Sequence, residues 1–87
     1  MTISLLSVKS SLQNKEGELD NKLRQIREAK SLTQGDLARL LGVSRQTVNA
    51  VETNKYDPSL PLALRMAKLF HCNVTEIFID DWEPTKE

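Results

Sequence analysis

Residues 32–59 read LTQGDLARLLGVSRQTVNAVETNKYDPS, and the order of caps, apolar positions and turn residues in this stretch decides the fold. The Thr33 hydroxyl can satisfy free amides of a first helical turn, and Asp36 three residues on completes a Thr-x-x-Asp variant of the capping box. Leu37, Ala38 and Leu41 then supply one apolar face. Gly42 can take the left-handed conformation that ends a helix, so the chain turns within Gly42 and Val43 and restarts with Ser44 as the next cap. The second helix carries Val48 and Val51 inward and leaves Arg45, Gln46, Thr47 and Asn49 at its outer start. It is expected to stop near Thr53, because Asn54 tolerates the left-handed region and Pro58 pushes Asp57 toward extended backbone in the turn Tyr56-Asp57-Pro58.

Working outward, Leu23 and Ile26 with Arg24, Arg27, Glu28 and Lys30 read as an amphipathic helix ending near Ser31. On the other side Ser59 caps a helix that tolerates Pro61 in its first turn and runs through Leu64, Ala67 and Phe70. Asn73 and Glu76 cap a short last helix containing Val74, Ile77 and Phe78. Weak alternation over residues 78–82 predicts a short strand before Pro84. The chain thus divides into an N-terminal extension (1–19), a helical domain (20–80) and an acidic C-terminal tail (81–87). Residues 3–12 are open to three readings, a leader, an arm or an added interface element, and Gly17 argues against one uninterrupted helix into residue 20.

The chain has 87 residues, 39% of them hydrophobic, with 12 Lys+Arg against 12 Asp+Glu. That length holds one domain and excludes a multi-domain enzyme; folding at this size hides roughly 60% of the accessible surface, so the core is small. A lone Cys72 cannot form an internal disulfide, and the lack of any Cys/His cluster removes a structural zinc site and points to a reducing compartment. No run reaches the ~18 apolar residues of a membrane span. Residues 3–8 are too short and Ser-rich for a signal-peptide core, so a soluble cytoplasmic protein without membrane attachment is expected. With no nucleophile–base pair, metal cluster or phosphate-cradling glycine loop, neither an enzyme nor a cofactor or metal site is expected. His71 reads as a surface or helix-capping residue, Cys72 as a small buried hydrophobe, and Trp82 as either a lid on the core or a dimer contact.

Zero net charge hides an asymmetry. Residues 20–70 carry nine basic side chains against five acidic ones, whereas residues 71–87 carry one against five. A basic middle beside an acidic end suits a surface for a polyanion with an oppositely charged back.

Two helices joined by a tight glycine-containing turn form a helix-turn-helix, and the spacing of Ala38, Gly42, Val48 and Val51 has separable reasons. Ala38 is small where the helices approach, Gly42 makes the turn, and the two valines lock the second helix on the first. The polar start of that second helix is the end that enters the DNA major groove in this motif, where its dipole also favours phosphate.

Residues 32–38 (LTQGDLA), 41–48 (LGVSRQTV) and 55–60 (KYDPSL) resemble the phage-repressor-type (Cro/cI, xenobiotic-response-element) helix-turn-helix family, over roughly residues 20–80. The small subgroup containing the repressor of a bacterial cytolysin operon is similar down to Trp82-Glu83-Pro84. The resemblance implies an all-α, five-helix DNA-binding domain, with a short antiparallel strand pair from residues around 18–21 and 78–82. It implies sequence-specific binding of double-stranded DNA, usually as a two-fold homodimer, and a transcriptional regulator, more often a repressor, on a pseudo-palindromic operator. The alternative is an antitoxin or controller subunit that binds a protein partner and autoregulates its operon.

Carried over by residue, the resemblance makes Arg45 and Gln46 the leading base readers, with Thr47 and Asn49 adding base or phosphate contacts. Arginine fits guanine O6/N7 and glutamine fits adenine N6/N7, each worth roughly 1–3 kcal/mol of discrimination. Gln34 matches a residue that anchors phosphate and buttresses the reading helix. Ser44, Asn54, Lys55 and Tyr56 are candidate phosphate contacts that set register. Arg27 and Glu52 match a structural ion pair. Two positions depart from the family pattern: Asn54 stands where glycine is common, and Ala50 is too short for a base contact made by some relatives.

Overall fold

The caps at Thr33, Ser44 and Ser59 each begin a helix in the computed structural model, which describes residues 19–85. The order along the chain is β1 (Asp20–Asn21), α1 (Leu23–Ala29), α2 (Gln34–Leu41), α3 (Arg45–Glu52), α4 (Leu60–Phe70), α5 (Val74–Ile77) and β2 (Phe78–Ile79). Readings that concern residues 1–18, Gly17 and the three roles weighed for the extension included, lie outside the described residues, as do Lys86 and Glu87.

Thr33 Oγ1 accepts the Asp36 N–H at 3.0 Å while the Asp36 carboxylate accepts the Thr33 N–H at 3.0 Å, closing the capping box at the start of α2. At its other end Gly42 is left-handed (φ 77°), and the Ala38 carbonyl accepts the N–H groups of both Gly42 and Val43. Arg65 reaches over from α4 and donates to the Leu41 carbonyl at 3.1 Å, satisfying another acceptor that the helix end leaves open. The turn is therefore fixed from inside by glycine geometry and from outside by a guanidinium. Ser44 and Ser59 repeat the capping chemistry by accepting the N–H of Thr47 and of Leu62.

Leu37 and Leu41 of α2 and Val48 and Val51 of α3 meet Leu23 of α1, Met66 and Phe70 of α4 and Ile77 of α5 in one buried cluster. Full burial of such side chains contributes about 1.5–3 kcal/mol each, which is what holds α3 rigidly against α2.

The two strands are antiparallel, with Asp20 opposite Ile79 and Asn21 opposite Phe78, and Lys22 N–H extends the ladder to the Ile77 carbonyl at 2.8 Å. The strand expected over residues 78–82 stops at Ile79. Asp80 ends it by accepting the Trp82 N–H on its own carboxylate at 3.1 Å, a local turn that competes with the ladder. Trp82 consequently leaves the core and is 71% exposed, so it is not a lid. Asn21 ties the sheet to the reading unit: its side chain donates to the Val51 carbonyl at 2.8 Å and accepts the Leu23 N–H at 3.0 Å.

Candidate nucleic-acid interface

Because Val48 and Val51 are wholly buried, helical periodicity forces Arg45, Gln46 and Asn49 outward, and all three are exposed on the first turns of α3. Arg45 and Gln46 enter no side-chain hydrogen bond or ion pair among the described residues, so their donors and acceptors are available to a ligand. Together with Gln34 and Asn49 they line a shallow groove of about 300 Å³. A neighbouring groove of about 460 Å³ runs from Arg45 to Thr33 and Gly35 at the start of α2. The first N–H groups of α2 lack intrahelical acceptors and point out of the helix end, which makes this second groove suited to a phosphate.

Thr47 is half-buried, and its hydroxyl lies 2.9 Å from Ser44 Oγ, which also accepts the Thr47 N–H. Both residues thus serve the cap of α3 first. Asn54 is left-handed (φ 60°) after α3, and the exposed Lys55 and Tyr56 follow it at the far end of the same helix.

Behind the exposed row lies a buried polar chain. Arg27 and Glu52 pair through two hydrogen bonds, Nε to Oε2 at 2.6 Å and Nη2 to Oε1 at 3.1 Å, and Arg27 Nη1 donates to the Leu32 carbonyl at 2.8 Å. The hydrogen bond to Glu52 holds the Arg27 guanidinium above its ordinary pKa, against the opposing effect of burial. Gln34 Nε2 donates to Glu52 Oε1 at 3.0 Å and to Asn49 Oδ1 at 3.2 Å. Both N–H groups of that amide are occupied inside the protein. Gln34 is thereby a brace between α2 and α3, and the atoms left facing a phosphate at this end are backbone N–H groups.

Reading the sequence alone misses two contributors, Arg65 and Asn21. Arg65 looks like any exposed helical arginine, and its partner carbonyl is 24 residues away. Asn21 carries a faint signal, an asparagine just before a helix start, but nothing local announces its bond to Val51.

Cys72 is half-buried rather than buried; burial pushes its thiol above the ordinary value, with Glu76 adding and Lys30 opposing. No group of His, Cys, Asp or Glu among the described residues could hold a metal ion, and no described helix is long and apolar enough to cross a membrane.

The sequence pattern of the helix-turn-helix family matches residues 23–77. An uncharacterized HTH-type transcriptional regulator of Methanocaldococcus jannaschii is 54% identical over 61 residues, covering 70% of this chain and 92% of that protein. The HTH-type regulator YgzD of Bacillus subtilis is 38% identical over 60 residues, covering 69% and 91% respectively. Among solved structures, the restriction-modification controller protein C.AhdI of Aeromonas hydrophila is similar at a TM-score of 0.59 and 36% identity, covering 63% of this chain and 83% of that one. The groove-facing row on α3, the glycine turn before it and these likenesses agree: the chain belongs to the phage-repressor-type (Cro/cI, xenobiotic-response-element) helix-turn-helix family of DNA-binding transcriptional regulators, which are not enzymes.

Proposed function

We propose that this regulator is a cytoplasmic homodimeric repressor that lays α3 of each protomer in successive major grooves of a pseudo-palindromic operator, with half-sites about 34 Å apart. The observation that carries the base-reading part is the row Arg45, Gln46 and Asn49, held outward by buried Val48 and Val51. Arg45 is the reader of a guanine and Gln46 of an adenine; Thr47 adds a methyl contact to a neighbouring thymine. Phosphates are held by the amides at Gln34, by the Ser44 end of α3 and by Asn54, Lys55 and Tyr56 at its far end, fixing register without reading sequence.

A dimer is supported by apolar surface that a monomer leaves uncovered. Leu60 is 68% exposed and Leu64, one turn on, is 43% exposed. Leu64 also borders an open groove of about 650 Å³ between α4 and α5, floored by Ala67, Cys72 and Val74. Trp82 and Ile79 are also exposed, on the C-terminal segment, and a second copy is the occupant we assign to this apolar surface.

A second reading, a controller or antitoxin subunit that binds a protein partner, is supported by the likeness to C.AhdI, a restriction-modification controller. The two readings share their DNA-facing residues. Selection from random-sequence duplexes at near-physiological salt tests the first: an inverted repeat, relaxed at defined positions by Arg45→Ala with Gln46→Ala, is the expected result. Salt-sensitive binding without a motif would remove operator reading and leave the protein partner as the main role.

A further inference from the structure

The buried chain behind α3 constrains what Asn49 can say to a base. Glu52 is an acceptor only, its side chain 2% exposed and clasped by Arg27 through both oxygens. A glutamine amide beside such a carboxylate must turn its NH2 toward it, so the orientation of Gln34 is dictated by charge. The second N–H of the same nitrogen points at Asn49, 3.2 Å away, and the Asn49 atom that receives it must be the oxygen. The order Leu32 carbonyl, Arg27, Glu52, Gln34, Asn49 therefore ends with an asparagine whose oxygen is engaged by Gln34 and whose NH2 takes no partner among the described residues, beside Arg45 and Gln46 in the groove they share.

An asparagine free to present both atoms pairs with adenine, accepting from N6 and donating to N7. In Asn49 the oxygen is already turned to Gln34 by its bond at 3.2 Å, which leaves the NH2 as the group free to meet a base. Guanine offers two adjacent acceptors, O6 and N7, to a donor, whereas adenine sets its own N6 donors beside the single N7. We infer that Asn49 reads the operator as a fixed hydrogen-bond donor that selects guanine over adenine, its polarity set by Gln34 and the buried Arg27–Glu52 pair. The inference rests on the reading that α3 lies in the major groove. It makes Gln34 a positioning residue for specificity, and Arg27 and Glu52 the anchor of its orientation.

The test is selection from random-sequence duplexes in ~0.15 M salt with the parent, Asn49→Ala, Gln34→Met and Asn49→Asp proteins. Asn49→Ala marks the operator position that Asn49 contacts, where the parent is expected to favour guanine over adenine by about tenfold. Gln34→Met keeps the side-chain length but frees the asparagine, so the preference there should fall toward parity as adenine becomes acceptable. The positions that respond to Arg45→Ala and Gln46→Ala should stay unchanged. Asn49→Asp alters only an exposed group and turns an acceptor to the groove, so it should move the preference to the amino-bearing bases, cytosine and adenine. Adenine at the marked position in the parent, no position that responds to Asn49→Ala, or equal weakening of every position by Gln34→Met would each overturn the inference while leaving operator reading intact. Failure of the parent to yield any motif would instead remove the reading on which it rests.

Discussion

Arg27 Nε and Glu52 Oε2 lie 2.6 Å apart, joining α1 to the last residue of α3 through a pair whose side chains are 9% and 2% exposed. The pair fixes the far end of the reading helix to the domain and holds Gln34 from behind. A buried pair of this kind loses more when one partner is removed than when both are, because the survivor is left charged and dry.

Arg27→Met or Glu52→Leu alone is therefore expected to cost about 3–5 kcal/mol of unfolding free energy, and the double variant less than the two singles added together. The double variant does not return to the parent value, since the Leu32 carbonyl and the Gln34 amide lose partners in it. Urea titrations of the four proteins check this; strict additivity would contradict the coupling.

Gly42 and Asn54 both bear left-handed backbone, at φ 77° and 60°. A Cβ on Gly42 would meet nothing nearer than Arg65 Nη1 at 4.0 Å, so the cost of Gly42→Ala is conformational, about 1 kcal/mol. Asn54→Ala should cost a similar amount, while Asn54→Gly should stay within about 0.5 kcal/mol of the parent. Thermal melts decide it: if Asn54→Gly loses as much as Asn54→Ala, the Asn54 side chain and not the backbone is what matters there.

Arg45→Ala and Lys55→Ala should separate reading from anchoring. Both side chains are exposed, so neither change should lower the melting temperature appreciably. The first is expected to weaken binding to a selected operator by about tenfold and relax one position. The second should weaken binding to all sequences alike and reduce the slope of log affinity against log salt by about one. Fluorescence anisotropy across a salt series measures both slopes.

Acid should loosen the start of α2. The Thr33 backbone N–H, then its hydroxyl, then Arg39 hold the Asp36 carboxyl below its ordinary value of 3.8. A depressed folded-state pKa contributes stability that is present above the ordinary value and is lost as pH falls through the lower one. Arg27 is shifted the other way, upward, so its contribution is present below the ordinary arginine value and does not vary near neutrality. The parent should thus lose stability more steeply below about pH 4 than Asp36→Asn does, and the two should run parallel from pH 5 to 8. Melting temperature against pH for the two proteins checks this difference in slope.

The helices were legible wherever the chain marks its own turns. Thr33, Ser44 and Ser59 announce helix starts by local chemistry, and Gly42 and Asn54 are residue types that accept left-handed backbone. Ser31 and His71 adopt the same backbone, at φ 59° and 56°; His71 does so as the cap that ends α4, in line with its reading as a capping residue, whereas Ser31 carries no such signal. The outward row on α3 was readable from periodicity, because two buried valines settle where the rest must point. The orientation of the Gln34 and Asn49 amides was not, since it depends on a carboxylate 18 residues from Gln34 and on the arginine that pairs with it. Neither was the early end of β2, which Asp80 sets by bonding Trp82 two residues on.

Whether Arg45 on α3 reads a guanine in the major groove is decided by replacing that guanine with 7-deazaguanine in a selected operator. Removing N7 takes away one of the two acceptors Arg45 uses and leaves the minor groove unaltered. The parent protein is expected to lose about tenfold in affinity and Arg45→Ala to lose nothing further, so that the two changes are not additive. An unaffected parent, paired with sensitivity to removal of the guanine N2 amino group from the minor groove, would contradict it.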